Sequence, residues 1–350
     1  MSARSFIPAI LERAINAPSG DNSQPWRFKI EGATVSIFNV PESDPTLYNF
    51  RQRGSYIAHG ALVENIVILS MGAGFHAKVE PFPEIPDCTA RISLSERETI
   101  IDPLEAAIGK RATNRKPYKK GSLESPHRAA LEASIQESAG VRLKLMESPQ
   151  ELEILAQAIS LNELLIMENR RLHDLLFGMI RWSSAHERRA PGLYLKTMEF
   201  PLPVQILFRT LLRFWFCVRL LNVFGLSKSI PKQSAPIYRS SSAIGALILE
   251  NDRDESFLSA GRAFQRLWLT ATSLGVSLQP VTAIPYLMQR VEAGEAQAFS
   301  PKHTEMIRAA YGKITKTFGL VGEEHIAMLF RVGYGDAPSA RSSKLPPVIL

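Results

Sequence analysis

Two stretches of the chain carry residue types whose spacing suits chemistry. In Arg111-Ala-Thr-Asn-Arg115, two guanidinium groups and a hydroxyl alternate, so an extended segment would bring all three to one side. Arginine forks grip phosphate through paired, charge-assisted hydrogen bonds. The same residues also fit a solvated basic face, because Lys110, Lys116, Lys119 and Lys120 crowd them. The second stretch is Ala17-Pro-Ser-Gly-Asp-Asn-Ser-Gln-Pro-Trp26. Pro18 and Gly20 stop the preceding helix, and Ser19, Asp21, Asn22 and Ser23 add turn-forming side chains. That density of polar groups suits a polar ligand, and composition alone also fits an ordinary helix-to-strand connection.

The elements that must position these stretches follow from apolar periodicity. Ile7, Ile10, Leu11, Ala14 and Ile15 share one face of a predicted helix over residues 7–16, with Pro8 in its first turn. Arg27–Ile30 and Thr34–Val40 read as a hairpin joined through Gly32. A long helix over 55–73 is apolar on most sides and is therefore expected inside the molecule. Gly72 and Gly74 end it, and a strand is expected over 76–82. His59 and His76 stand alone and read as packing residues rather than ligands.

The later chain repeats these parts in order. A helix over 126–135 echoes the first one, and Arg142-Leu-Lys-Leu145 echoes Arg27-Phe-Lys-Ile30 at an offset of 115. Gly261–Gly275 echoes Gly60–Gly74 at an offset of 201, which leaves an insertion of about 86 residues, near 146–235. The copies are expected to span 1–110 and 111–350. The first keeps the polar loop, where the second has only Glu137-Ser-Ala-Gly140; the second keeps Arg111–Arg115, where the first has Ser2-Ala-Arg-Ser5. A fused pseudo-dimer with one composite pocket accounts for that complementarity.

Composition bounds the remaining classes. Hydrophobic residues at 45% and charged residues at 21% are those of a globular chain. Cys88 and Cys217 lie far apart without metal-ligand or disulfide spacing, so no metal site is expected and a reducing, cytoplasmic setting is the expectation. The first residues hold no apolar run of signal-peptide length. The net charge of +7 is scattered in pairs without a nucleic-acid-binding signature, and anionic small molecules are the better use for it.

The string Pro-Ser-x-x-Asn-x-Gln-Pro-Trp, ending at Trp26, resembles the loop of the nitroreductase family, FMN enzymes that are usually homodimers. Arg111-Ala-Thr-Asn-Arg115 is similar to the Arg-x-Ser-x-Lys/Arg that opens the family fold. Pro280, Val281 and Thr282 match a Pro-x-x-Gly segment in which Ala283 stands for the glycine. Arg331-Val-Gly-Tyr-Gly-Asp-Ala-Pro338 and the basic tail through Arg341, Ser342 and Lys344 match the family ending. The nearest likeness is to the long, internally duplicated subfamily typified by the mycobacterial Acg-like proteins.

The resemblance implies an α+β nitroreductase-like fold with helices around a mostly antiparallel sheet, formed by two pseudo-repeats in one chain. It implies one FMN, held by Ser19, Gly20 and Asn22 from the first copy. Arg111 and Thr113 would hold the phosphate and ribityl end, Arg115 would lie at the N1 and O2 edge, and Pro280, Val281 and Thr282 would lie along the ring with Thr282 near N5. Arg341 and Lys344 would reach the phosphate. The implied activity is ping-pong hydride transfer from NADH or NADPH through FMN N5 to a nitroaromatic, quinone or related small-molecule acceptor. The alternative it leaves open is a protein that sequesters FMN under a closed lid. The assembly would be a monomer, as a pseudo-dimer, or a homodimer.

The insertion adds helices over 150–180 and an apolar run, Phe214-Trp-Phe-Cys-Val218, flanked by Arg209, Arg213 and Arg219. His186 reads as a surface residue, with a proton donor as the sharper alternative. The apolar run is too short to cross a bilayer. Residues 200–230 are open to three readings: a lid over the flavin, a protein contact, or a peripheral membrane contact.

Overall fold

The computed structural model describes residues 3–350; the start of the Ser2–Ser5 segment lies outside the described residues. The first half runs α1 (Ala3–Ala14), β1 (Trp26–Glu31), β2 (Thr34–Asn39), α2 (Arg53–Gly72), β3 (Phe75–Pro81) and β4 (Cys88–Glu96). A short α3 (Glu105–Ile108) leads to Arg111. The second half opens with α4 (Ser125–Ala133) and β5 (Val141–Met146). The insertion follows: α5 (Pro149–Ile159), α6 (Leu161–Glu168), α7 (Arg170–Met179), β6 (Ile180–Arg181), α8 (Ser184–Glu187), β7 (Leu193–Tyr194), α9 (Leu202–Leu207), α10 (Trp215–Val223) and α11 (Leu226–Arg239). The chain then resumes with β8 (Ala243–Leu249), α12 (Asp254–Ser273), β9 (Ser277–Pro280), α13 (Ala283–Glu292), α14 (Pro301–Phe318) and β10 (His325–Gly333).

The antiparallel strands form two four-stranded sheets, ordered β1-β2-β4-β3 and β5-β8-β10-β9. Each sheet therefore takes its strands in the order first, second, fourth, third, and every pairing within both is antiparallel. The fold is α+β, as expected. Strand β4 fell outside the sequence reading, although it pairs with both β2 and β3. Helix α1 begins before Ile7, so Pro8 lies inside it rather than in its first turn. Residues 150–180 divide into three helices, where a Ser148–Glu151 capping box opens α5 and Asn169 caps α7 through the Leu172 N–H. His59 is buried between Thr89 and the Pro25 carbonyl, a packing residue as expected, whereas His76 is exposed on β3.

Helices α2 and α12 cross between the halves, and the crossing is reciprocal. A Cβ on Gly60 would lie 2.0 Å from the Leu258 carbonyl oxygen, and one on Gly261 would lie 2.2 Å from the Ile57 carbonyl oxygen. Glycine at both positions lets the backbones meet. One turn further, Gln265 Nε2 donates to Asn65 Oδ1 at 2.7 Å and Arg266 Nη1 donates to Glu64 Oε1 at 2.8 Å. Each contact is the image of its neighbour under the 201-residue offset, the self-complementary pattern of an isologous interface. The end of the chain returns to the first sheet, where Phe28 N donates to Val348 O at 2.9 Å and Leu350 N donates to Phe28 O at 2.7 Å.

Candidate functional site

The polar loop after α1 bends through left-handed backbone at Asp21 (φ 44°), Asn22 (φ 60°) and Gln24 (φ 51°). Asp and Asn tolerate that region better than other side chains, which fits their presence here. Ser19 Oγ accepts from Gln24 N at 3.0 Å and closes the loop on itself. Gly20 packs against Asp44, where a Cβ would meet the carboxylate oxygen at 2.8 Å. Its glycine is thus explained by the loop's own packing. It does not line the cleft described below, contrary to its expected contact with a ligand.

Arg111–Arg115 is extended because it pairs with the second sheet. Thr113 bridges to Leu278 of β9 in parallel, and Asn114 N donates to Leu278 O at 3.0 Å. The Asn114 side chain turns away, donating to Ser277 Oγ and the Asp336 carbonyl. Arg111, Thr113 and Arg115 all reach the cleft wall. The fully buried Arg331 of β10 supports the segment from behind: its guanidinium lies 3.9 Å from the Tyr118 ring centre, and Nη2 donates to Lys116 O at 2.8 Å.

These parts line a cleft of about 100 Å³, smaller than the usual small-molecule site. The first loop supplies Ser19, Asp21 and Asn22; the second segment supplies Arg111, Thr113 and Arg115; the tail supplies Arg341, Ser342 and Lys344. Lys344 Nζ ties the parts together, donating to Ala17 O at 2.8 Å and Asn22 Oδ1 at 2.7 Å. Arg111 Nη2 donates to Asn16 O at 2.8 Å, and its guanidinium lies over the Trp268 ring at 4.4 Å. Arg115 Nη1 donates to the Thr197 carbonyl at 2.9 Å. Arg341 Nη1 donates to Gly109 O at 2.8 Å.

Charge in the cleft is unbalanced. Among the described residues Asp21 is the one carboxylate of its lining, set against Arg111, Arg115, Arg341 and Lys344. Burial, then the neighbouring Arg341, pulls the Arg111 pKa down to about 9. Burial and Arg111 hold the Lys344 ammonium well below the usual lysine range. Burial lowers Arg115 as well, with Asp21 opposing the shift. Asp21 moves the other way, to about 6, through burial and the nearby Asp44. The Arg111 Nε is buried without a partner. Crowded, desolvated cations with an unmet donor disfavour their own charge, and an anion bound among them reverses that penalty.

The remaining expected residues lie close by but outside the wall. Strand β9 carries Pro280 beside the Thr113 bridge. Val281 is buried and gives its N–H to Leu329 O, while Thr282 is the residue just before α13. Pro280, Val281 and Thr282 are not among the cleft's lining residues. The insertion closes the cleft with Leu193 and Thr197, and Phe214–Phe216 take no part in its wall, which does not favour the lid among the three readings of that segment. Glu199 accepts from Ser339 N and Oγ, and Glu187 accepts from Ser343 N and Oγ, so this same stretch fastens the tail. His186 is exposed and apart from the lining. Asp21, Leu193 and Thr197 were missed as site residues. Asp21 had a signal, as the acid of a loop that faces basic segments; Leu193 and Thr197 sit in an insertion whose sequence shows no ligand-binding pattern.

Fold and site together define an α+β protein whose two halves and tail converge on one cationic cleft suited to a phosphorylated ligand. No family model matches the chain. It is 25% identical over 298 residues to a Mycobacterium tuberculosis protein named "Putative NAD(P)H nitroreductase", covering 84% of this chain and 80% of that one. It is 30% identical over 197 residues to another from the same organism, named "Putative NAD(P)H nitroreductase acg", covering 53% and 56%. An uncharacterized protein of M. tuberculosis matches over 341 residues at 23% identity; this chain spans 46% of that relative's length. A nitroreductase with bound FMN from Bacteroides fragilis overlays with a TM-score of 0.38 at 11% identity, covering 70% of this chain and 94% of that one. By sequence, the chain is similar to these mycobacterial proteins.

Proposed function

We propose that the protein is an FMN-dependent oxidoreductase of nitroreductase type, with one flavin in the cleft between its two halves. The observation that carries this reading is the convergence of Arg111, Thr113, Arg115, Arg341 and Lys344 with the Ser19–Asn22 loop around a cleft short of anions. The unpartnered Arg111 Nε supports a phosphate there, since a buried guanidinium donor left unmet is costly. In this reading Arg111, Thr113, Arg341 and Lys344 bind the phosphate and ribityl end, and Asn22 orients Lys344. Arg115 lies toward the ring's N1 and O2 edge, where a cation favours the reduced form. Pro280 at the end of β9, with Val281 and Thr282 after it, would back the ring just beyond the wall. Bound FMN would supply hydride transfer from NADH or NADPH to a nitroaromatic, quinone or related acceptor, the two visiting one pocket in turn. The names of the mycobacterial relatives support the donor.

The halves would be worn copies of one unit, 1–110 and 111–350. Their shared strand order and the reciprocal α2–α12 crossing support that descent. Each copy would then keep one half of a site that two chains would otherwise share.

Anaerobic mixing of the purified yellow protein with NADPH, and separately with NADH, tests the reading. Bleaching of the flavin band within seconds, reversed by a quinone or nitroaromatic, is the expected result. Protein that takes up no FMN, or bound flavin that neither nucleotide bleaches, would overturn it.

A further inference from the structure

We propose that the stretch 202–224 seats the protein on an anionic lipid surface. This stretch consists of α9, a π-helical turn over Phe208–Leu212, and α10. Its inward side is ordinary core, with Phe208, Leu212 and Val218 buried. Its outward side is apolar: Leu202 is 70% exposed, Ile206 53%, Phe216 76%, Leu220 53%, Val223 79% and Phe224 82%. Phe216, Leu220 and Val223 fall at i, i+4 and i+7, so α10 presents one continuous greasy face. Isolated exposed apolar residues need no explanation, whereas a contiguous row marks a contact surface.

Charge selects the occupant. No Asp or Glu occurs from 200 through 249, while Arg209, Arg213, Arg219, Lys228, Lys232 and Arg239 all do. All six are exposed; Arg239 is paired with Glu153 at 2.8 Å, which leaves the other five to meet an anionic surface. Arg213 lies over the Phe214 ring at 4.5 Å, and Arg209 Nη2 donates to Trp182 O at 2.7 Å, so two of the arginines are fixed beside the apolar row. Cations flanking an apolar face fit a bilayer interface, where side chains enter the acyl boundary and arginines meet anionic headgroups. A second copy fits poorly, because a two-fold contact would set these same cations against one another. Among the described residues, no helix is long and apolar enough to cross a membrane, so the contact lies in the plane of the surface.

Co-sedimentation of the flavin-loaded protein with vesicles tests the proposal. Vesicles of phosphatidylcholine with a quarter phosphatidylglycerol are expected to pellet it, pure phosphatidylcholine vesicles are not, and 0.5 M salt should release it. Arg213→Gln with Arg219→Gln should weaken binding roughly 25-fold, at about fivefold for each basic residue near the surface. Phe216→Asp should abolish it, while flavin content reports that the fold is intact. The proposal fails if anionic vesicles do not pellet the protein, or if binding ignores salt and headgroup charge. It also fails if Phe216→Asp instead converts a dimer to a monomer, or frees an acidic protein partner while lipid binding persists.

Discussion

In the first half, the connection from α1 to β1 is a polar loop whose Ser19, Asp21 and Asn22 side chains reach the cleft; in the second, the connection from α4 to β5 is a short, mostly exposed turn. The unevenness runs the other way before α4, where Arg111–Arg115 pairs with β9 and points cations at the same cleft. Between β1 and β2 the chain turns at Gly32, whereas between β5 and β8 it runs through all of α5–α11. Two sheets of equal strand order thus carry unequal equipment. The lesson is that a matched frame fixes where ligand groups can converge, while loops decide which half supplies them.

The frame itself gives the largest effect. Gly60→Ala and Gly261→Ala each push a methyl into opposing helix backbone, so each should destabilise by about 3 kcal/mol or more. Gly109→Ala, with nothing within 4 Å of its Cβ, should be neutral within about 0.5 kcal/mol. Urea unfolding measures all three, and unequal losses at Gly60 and Gly261 would break the reciprocity of the crossing.

A smaller effect is expected in the cleft. Arg111→Met keeps a side chain over Trp268 but removes the charge, and should weaken FMN binding by about 2 kcal/mol, some 30-fold. The same change should leave the flavin-free protein as stable as before or more so, since a crowded buried cation is removed. Equilibrium dialysis and thermal unfolding separate the two readouts. Lost stability with unchanged affinity would make Arg111 a packing residue only.

The smallest effect is a pH dependence. Burial and the nearby Asp44 push Asp21 up from an ordinary 3.8 to about 6 in the fold, so the folded state holds the proton more tightly. Its contribution to stability is therefore full below about 4 and lost as pH rises toward 6. Glu163, raised to about 7, acts in the same sense, and His59, lowered to about 4, acts oppositely. The difference between wild type and Asp21→Asn isolates the carboxyl. The variant should gain about 1–2 kcal/mol on the wild type between pH 4 and pH 7, with a flat difference above. No change in that difference across the window would remove Asp21 from the cleft's electrostatics.

Much of this frame was legible because it rests on period and punctuation. The apolarity of most sides of α2 announced its burial, and Gly60 and Gly261 marked α2 and α12 as echoes of one another, but that the two helices cross at these glycines emerged only from the packing. The Arg111-Thr113-Arg115 alternation gave the cleft wall, because an extended segment has a two-residue period whatever its surroundings. What escaped depended on contacts distant in sequence. Thr197 meets Arg115 through its carbonyl, which no side-chain pattern can report. Gly20 was read as ligand-facing, although its space is set by Asp44. The Phe214–Phe216 run was equally apolar whether it covered the cleft or faced outward, and only the packing of Phe208, Leu212 and Val218 decided.

Flavin content per chain tests the composite site most directly. Purified protein saturated with FMN, freed of excess and denatured, is expected to release one flavin for each polypeptide. Two per chain would mean that each half holds its own, and none would mean that the cleft between the halves serves another ligand.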